Sequence, residues 1–139
     1  MEITTLIENL VYQSGLVAEH GLSFYMEGCH KKILFDTGQS DRFIANAKAL
    51  GVDLGDVDAL IVSHGHYDHC GGLIHFKKNN FPKVYVSKAA FTKRYALNIG
   101  RTYRDIGIPW CLDDYDYIKR NIVYADAYMK LAPDIFLLS

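Results

Sequence analysis

The stretch Ala59-Leu60-Ile61-Val62-Ser63-His64-Gly65-His66-Tyr67-Asp68-His69-Cys70-Gly71-Gly72 decides how the chain reads. It opens on a short, continuous apolar run, the pattern of a strand buried on both faces. Three of the six histidines and one carboxylate then fall within the six positions from 64 to 69. His64 and His66 stand two apart, so an extended backbone projects both imidazoles to one side. Two imidazoles on one side can converge on a single metal ion. Asp68 and His69 sit on the bend that follows and bring a carboxylate and a third imidazole to a second position nearby. Gly65, Gly71 and Gly72 allow the backbone to turn sharply and to approach closely. Nitrogen and oxygen donors without thiolate suit zinc first, with iron and manganese as alternatives.

Outward from this stretch, strands alternate with helices. Leu22 to Tyr25 and Lys32 to Phe35 are β-rich runs separated by Glu27-Gly28-Cys29-His30-Lys31, a hairpin pattern that ends at the turn Asp36-Thr37-Gly38. Phe43, Ile44, Ala47 and Leu50 recur at helical spacing, with Ser40 or Asp41 as N-cap and Gly51 as the stop. A helix beginning near Gly71 carries Leu73, Ile74 and Phe76. Val84 to Val86 reads as a strand and Ala89 to Tyr95 as a helix. Arg101 to Tyr117 is rich in aromatic and acidic residues and has no clean period. Ile122 to Tyr124 and Ile135 to Leu138 read as strands. This order predicts a layered α/β domain.

Three elements together, His20-Gly21-Leu22-Ser23, Leu34-Phe35-Asp36-Thr37-Gly38 and the 63–73 stretch, resemble the metallo-β-lactamase superfamily of metallohydrolases. More narrowly they resemble its dihydropterin-synthesis (methanopterin-type) branch. The likeness runs from about Leu16 to the C-terminus and is strongest up to Leu73. It implies an αββα sandwich with a mixed sheet, helices packed on one face, and a binuclear metal site at the sheet edge. His64 and His66 would bind the first metal, and Asp68 and His69 the second. Asp68 also takes the catalytic assignment, and Asp36 would steady the ligand loop from behind. A hydroxide bridging two divalent metals would attack a phosphoester, lactone or thioester. Superfamily members with di-iron oxygen chemistry usually replace the second His by an acid and lose the final His; both are present here, which favours hydrolysis.

Complete members of that family are longer and supply a third His, a bridging Asp and a last His from their second half. This chain has no histidine after His75. Residues 1–139 therefore read as one truncated domain, the N-terminal half of the sandwich. Two functional readings follow. One is a metal-dependent hydrolase acting on a small molecule. The other is a catalytically incomplete half-domain that self-associates, as a homodimer covering the exposed sheet, or pairs with another chain.

Composition narrows the field. Fifteen Lys and Arg against sixteen Asp and Glu give a formal charge of −1, with no electrostatic footprint for nucleic acid or anionic lipid. No apolar run approaches the roughly 20 residues that span a bilayer, and no secretory signal opens the chain. Three scattered cysteines, Cys29, Cys70 and Cys111, indicate a reducing, cytoplasmic setting. Cys70 reads as a small buried hydrophobe, and His75 as an exposed helix residue. His20 and His30 read first as solvated turn residues, and His20 second as a residue lining the site. The basic pairs Lys93-Arg94 and Arg101…Arg104 read first as a solvated face, and second as a contact for phosphate or pterin.

Overall fold

Central strands apolar on both faces, flanked by layers on either side, account for the architecture. The computed structural model describes residues 1–28, 30–76 and 81–138. Among these, a mixed six-stranded sheet is built from β1 (Glu2–Ile7), β2 (Ser23–Glu27), β3 (Lys32–Phe35), β4 (Ala59–Val62), β5 (Lys83–Val86) and β8 (Ile122–Tyr124). The order in space is β1-β2-β3-β4-β5-β8. The first three strands are antiparallel, and β3, β4, β5 and β8 run parallel.

Successive residues point to opposite faces. Leu34, Leu60 and Val84 lie in register across the sheet and join a core with Phe43, Ala47, Leu73 and Ile118. Those last residues come from α1 (Arg42–Ala49), the turn after α2 (Tyr67–Cys70), and α3 (Asp116–Lys119). The opposite face presents Ile33, Ala59 and Ile61. It packs against Leu131, Ile135 and Leu137 of the hairpin β9 (Met129–Ala132) and β10 (Ile135–Leu137). A separate hairpin, β6 (Tyr95–Leu97) with β7 (Tyr103–Asp105), lies outside both layers. The helices therefore cover one face of the sheet, and a β-layer begins on the other. Among the described residues, no helix is long and apolar enough to cross a membrane.

Several sequence expectations need correction. β1 escaped the reading, because Glu2 to Thr5 is largely exposed and lacks a clean alternation. In α1 the buried face is Phe43, Asn46 and Ala47; Ile44 points outward. Buried Asn46 ties the N-terminal segment down, donating to the carbonyls of Leu6 and Val17 at 2.7 and 2.8 Å. Asp41 is the N-cap residue but makes no side-chain capping bond. The helix expected from Gly71 is a 3-10 segment, Gly71–His75, preceded by the α-turn at Tyr67.

The helix expected over Ala89 to Tyr95 stops after one turn, Lys88–Phe91. A continuing helix would need the Ala89 carbonyl for the next turn. Here it accepts from Thr92 Oγ1 at 2.7 Å and Arg94 Nη2 at 3.0 Å, and the chain turns into β6. Cys29 lies outside the described residues. Cys70 is a buried free thiol and Cys111 an exposed one.

Candidate metal centre

Parallel strands leave their C-terminal ends open on one edge of a sheet, where ligands of α/β folds commonly sit. Asp36 follows β3, and Ser63 to His69 follow β4, on that edge. Backbone bonds stitch the loops together. Asp36 N–H donates to Ile61 O at 2.9 Å, Thr37 N–H to His69 O at 2.8 Å, and Gly38 N–H to Leu22 O at 2.9 Å. Gly72 N–H returns to Gly38 O at 3.0 Å. A Cβ at Gly72 would overlap the Thr37 carbonyl oxygen, and one at Gly65 the Ala90 carbonyl. The glycines of the motif are therefore a packing requirement at these two positions.

Asp36 is fully buried and holds a left-handed backbone, φ 55°. Its carboxylate accepts from Ser63 N–H at 2.8 Å, Ser63 Oγ at 2.7 Å and His69 Nδ1 at 2.7 Å. Strain of this kind persists only where surrounding contacts over-determine it. Ser63 has one hydroxyl proton, which goes to Asp36. His64 Nδ1, 2.9 Å from Ser63 Oγ, must then be the donor in that contact. In their neutral forms, His64 and His69 carry the proton on Nδ1 in this network, which leaves an Nε2 lone pair on each.

The three imidazoles cluster. The His64 ring lies 4.4 Å from that of His66 and 4.2 Å from that of His69. His64 therefore neighbours both other rings of the expected ligand set. Burial, followed by the neighbouring imidazoles His69 and His66, pushes the His64 pKa down. The hydrogen bond to Asp36 pushes His69 up. Asp68 is buried, with Oδ2 3.6 Å from His69 Nε2 and 3.3 Å from His20 Nε2. His20 Nδ1 is 2.8 Å from Asn9 Oδ1. His20, read first as a solvated turn residue and second as lining the site, is exposed and reaches the cluster through Asp68. His75 is exposed, as expected.

Sequence reasoning missed Glu19. This buried carboxylate accepts from Gln39 N–H at 3.0 Å, Ser40 N–H at 3.1 Å and Ser40 Oγ at 2.6 Å. It pins the turn that carries Asp36, and nothing in the local sequence signals that role. Arg104, read first as part of a solvated face and second as a phosphate or pterin contact, places its guanidinium over the Tyr67 ring at 5.5 Å.

A metal fits the chemistry of this donor set. Two imidazoles have their second nitrogen already engaged by a hydroxyl or a carboxylate, the usual arrangement behind a metal-bound histidine. Two lone-pair nitrogens approach Asp68 Oδ2, a contact that is repulsive until a proton or a cation lies between them. Among the described residues, no three or more His, Cys, Asp or Glu side chains converge as a closed ligand set. Drawing the Nε2 atoms onto one ion therefore takes side-chain rotation.

Comparison with known proteins agrees with the fold. The sequence profile of the metallo-beta-lactamase superfamily matches residues 16–119. The chain belongs to the metallo-β-lactamase superfamily. An uncharacterized protein of Methanocaldococcus jannaschii is 34% identical over 137 residues, which cover 97% of this chain and 51% of the relative. The same organism's 7,8-dihydropterin-6-methyl-4-(beta-D-ribofuranosyl)-aminobenzene-5'-phosphate synthase is 39% identical over 84 residues, 56% of this chain and 29% of that protein. The crystal structure of Tm1679, described as a metal-dependent hydrolase of the beta-lactamase superfamily, superposes with a TM-score of 0.73. It is 29% identical, over 98% of this chain and 46% of its own. A quorum-quenching N-acyl homoserine lactone lactonase shares the fold at TM-score 0.54 and 22% identity, over 84% of this chain and 48% of its own. The chain spans about half the length of the full-length matches, or less.

Proposed function

We propose that this chain carries the first-half metal centre of a metal-dependent hydrolase, with His64, His66, Asp68 and His69 as ligands. The observation that supports it most is the proton arrangement behind the imidazoles. Asp36 and Ser63 hold His64 and His69 with Nδ1 protonated and Nε2 free. A divalent metal held there polarises a substrate oxygen and lowers the pKa of bound water towards about 7. The chain's own residues supply orientation. Asp36 fixes the His69 ring and, through Ser63, the His64 ring, and Asn9 fixes His20 against Asp68. The substrate classes that suit such a centre are phosphoesters, lactones and thioesters, and zinc is the metal that best suits the donors.

His64→Ala or His66→Ala is expected to remove most of the bound zinc, and His75→Ala to change little. Elemental analysis of dialysed, zinc-loaded protein reads this directly. Zinc retained in both variants contradicts the ligand assignment. A hydrolytic screen over the three substrate classes with Zn²⁺, Mn²⁺ and Fe²⁺ is expected to show metal-stimulated turnover. No stimulation by any metal counts against activity at this length.

The competing reading is a catalytically incomplete half that pairs with itself or with another chain. It is favoured by the row Ile3, Met26, Ile33 and Ala59, which lies in register across the sheet and passes from exposed to buried. The β9–β10 hairpin covers the buried end, while Ile3 remains 57% exposed. On that reading, sedimentation at micromolar concentration gives a dimer; a clean monomer sinks it.

A further inference from the structure

Beside the metal centre lies a cavity of about 460 Å³, within the range of small-ligand sites. It opens at the C-terminal ends of β4 and β5, with Ser63, His64 and Ser87 on its wall, and Leu137 and Leu138 close it from the β9–β10 side. The rest of the wall is largely apolar, with Phe35, Ile61 and Tyr85 among its residues. Arg94 also lines it, and is the one permanently charged side chain that does so among the described residues.

Arg94 is poorly matched to its protein surroundings. Its Nε is buried and makes no hydrogen bond. Among the described residues no carboxylate pairs with it. Among those residues its side chain makes one hydrogen bond, from Nη2 to the Ala89 carbonyl at 3.0 Å. Asp126, the acid near this edge, is already engaged by Ser87 Oγ and Lys88 N–H, both at 2.9 Å. A buried guanidinium N–H without an acceptor is costly, and native structures keep few such groups without a reason. The planar fork of arginine matches the paired oxygens of carboxylate or phosphate.

We propose that this cavity takes a small substrate with an apolar body and an anionic oxygen group, carboxylate or phosphate, and that Arg94 binds that group. The inference rests on the hydrolase reading for the meaning of His64 on the same wall. Arg94 is then a specificity residue: it holds the anion while the apolar wall holds the body, and the reacting bond lies toward His64. The backbone keeps this geometry, because Gly65 packs directly against the Ala89–Ala90 turn whose carbonyl Arg94 caps.

The test uses the full chain stripped of metal with a chelator, so that failure of metal binding cannot mimic failure here. Benzoate and phenyl phosphate are titrated by calorimetry, with benzamide and phenol as neutral counterparts. The wild-type chain is expected to bind at least one anion in the millimolar range and to prefer it over its neutral counterpart. The preferred anion identifies which oxygen group the cavity takes. Arg94→Gln is expected to weaken that binding about tenfold or more, the size of a lost charge-assisted hydrogen bond. Arg94→Lys should retain part of it. In case Arg94→Gln does not fold, the Nε–H resonance of Arg94 in the wild-type chain gives a second readout. It is expected to shift as the anion is added. Neutral analogues binding as well as anions, unchanged affinity in a folded Arg94→Gln, or an unmoved Nε–H resonance overturns the proposal. Absence of anion binding to the wild-type chain overturns it as well.

Discussion

Asp36→Ala is expected to destabilise the chain by about 2–4 kcal/mol and to abolish tight zinc binding. The carboxylate is fully buried and satisfies Ser63 N–H, Ser63 Oγ and His69 Nδ1 together. Removing it leaves donors without an acceptor, each costing about 1–3 kcal/mol where water cannot reach. Ser63 is exposed enough for water to rescue part of that loss, which keeps the total below the simple sum. Alanine at φ 55° gains nothing in return, because the left-handed strain remains. Asp36→Asn separates the two effects. It preserves shape and one acceptor, so the fold should survive. Its amide cannot accept from every donor, so the His64 and His69 rings lose their fixed tautomers. Zinc affinity is then expected to fall about 10–100-fold, the usual effect of losing a carboxylate behind a histidine ligand. Chemical denaturation and competition with a zinc chelator measure the two quantities. An Asp36→Asn chain with unchanged zinc affinity contradicts the positioning role.

Gly65→Ala is expected to be the most damaging single methyl addition in the motif. A Cβ there would overlap the Ala90 carbonyl oxygen and lie 2.6 Å from its carbon and 2.9 Å from its Cα. All three atoms belong to backbone, so no side chain can swing aside. The His64–His66 loop must move off the Ala89–Ala90 turn, at a cost of about 3 kcal/mol or more, the upper range of overpacking. A melting temperature roughly 10 °C lower follows from about 3–4 °C per kcal/mol in a domain of this size. Gly51→Ala is the comparison. Gly51 has φ 73° but meets nothing within 4 Å, so its loss should be near 1 kcal/mol, from backbone strain alone. Equal melting temperatures for Gly65→Ala and the wild-type chain would mean that the loop does not need this contact.

The parts of the molecule that were legible in sequence share a physical cause. β4 was readable because Ala59 to Val62 is buried on both faces and so is apolar without a break. The β2–β3 hairpin and the Phe43–Ala47 face of α1 were readable from local turns and period. The donor set at 64–69 stood out because metal chemistry needs several donors, and here they are close in sequence. What stayed hidden depends on distant contacts. Glu19 reaches across to Gln39 and Ser40, and Asn46 to Leu6 and Val17, with no local pattern to mark either. The helix expected at 89–95 fails because side chains of Thr92 and Arg94 take the carbonyl it needed. β1 was invisible because its first residues face solvent, and its partner β2 supplies the ordering.

His64, His66, Asp68 and His69 are proposed to hold a divalent metal in this chain. The direct measurement is zinc content per chain after chelator stripping, reconstitution with zinc and exhaustive dialysis. At least one zinc per chain is expected, and two where ligands from a partner chain complete the centre. Zinc at the level of the dialysis buffer would contradict it, and would assign the chemistry of this motif to a longer protein.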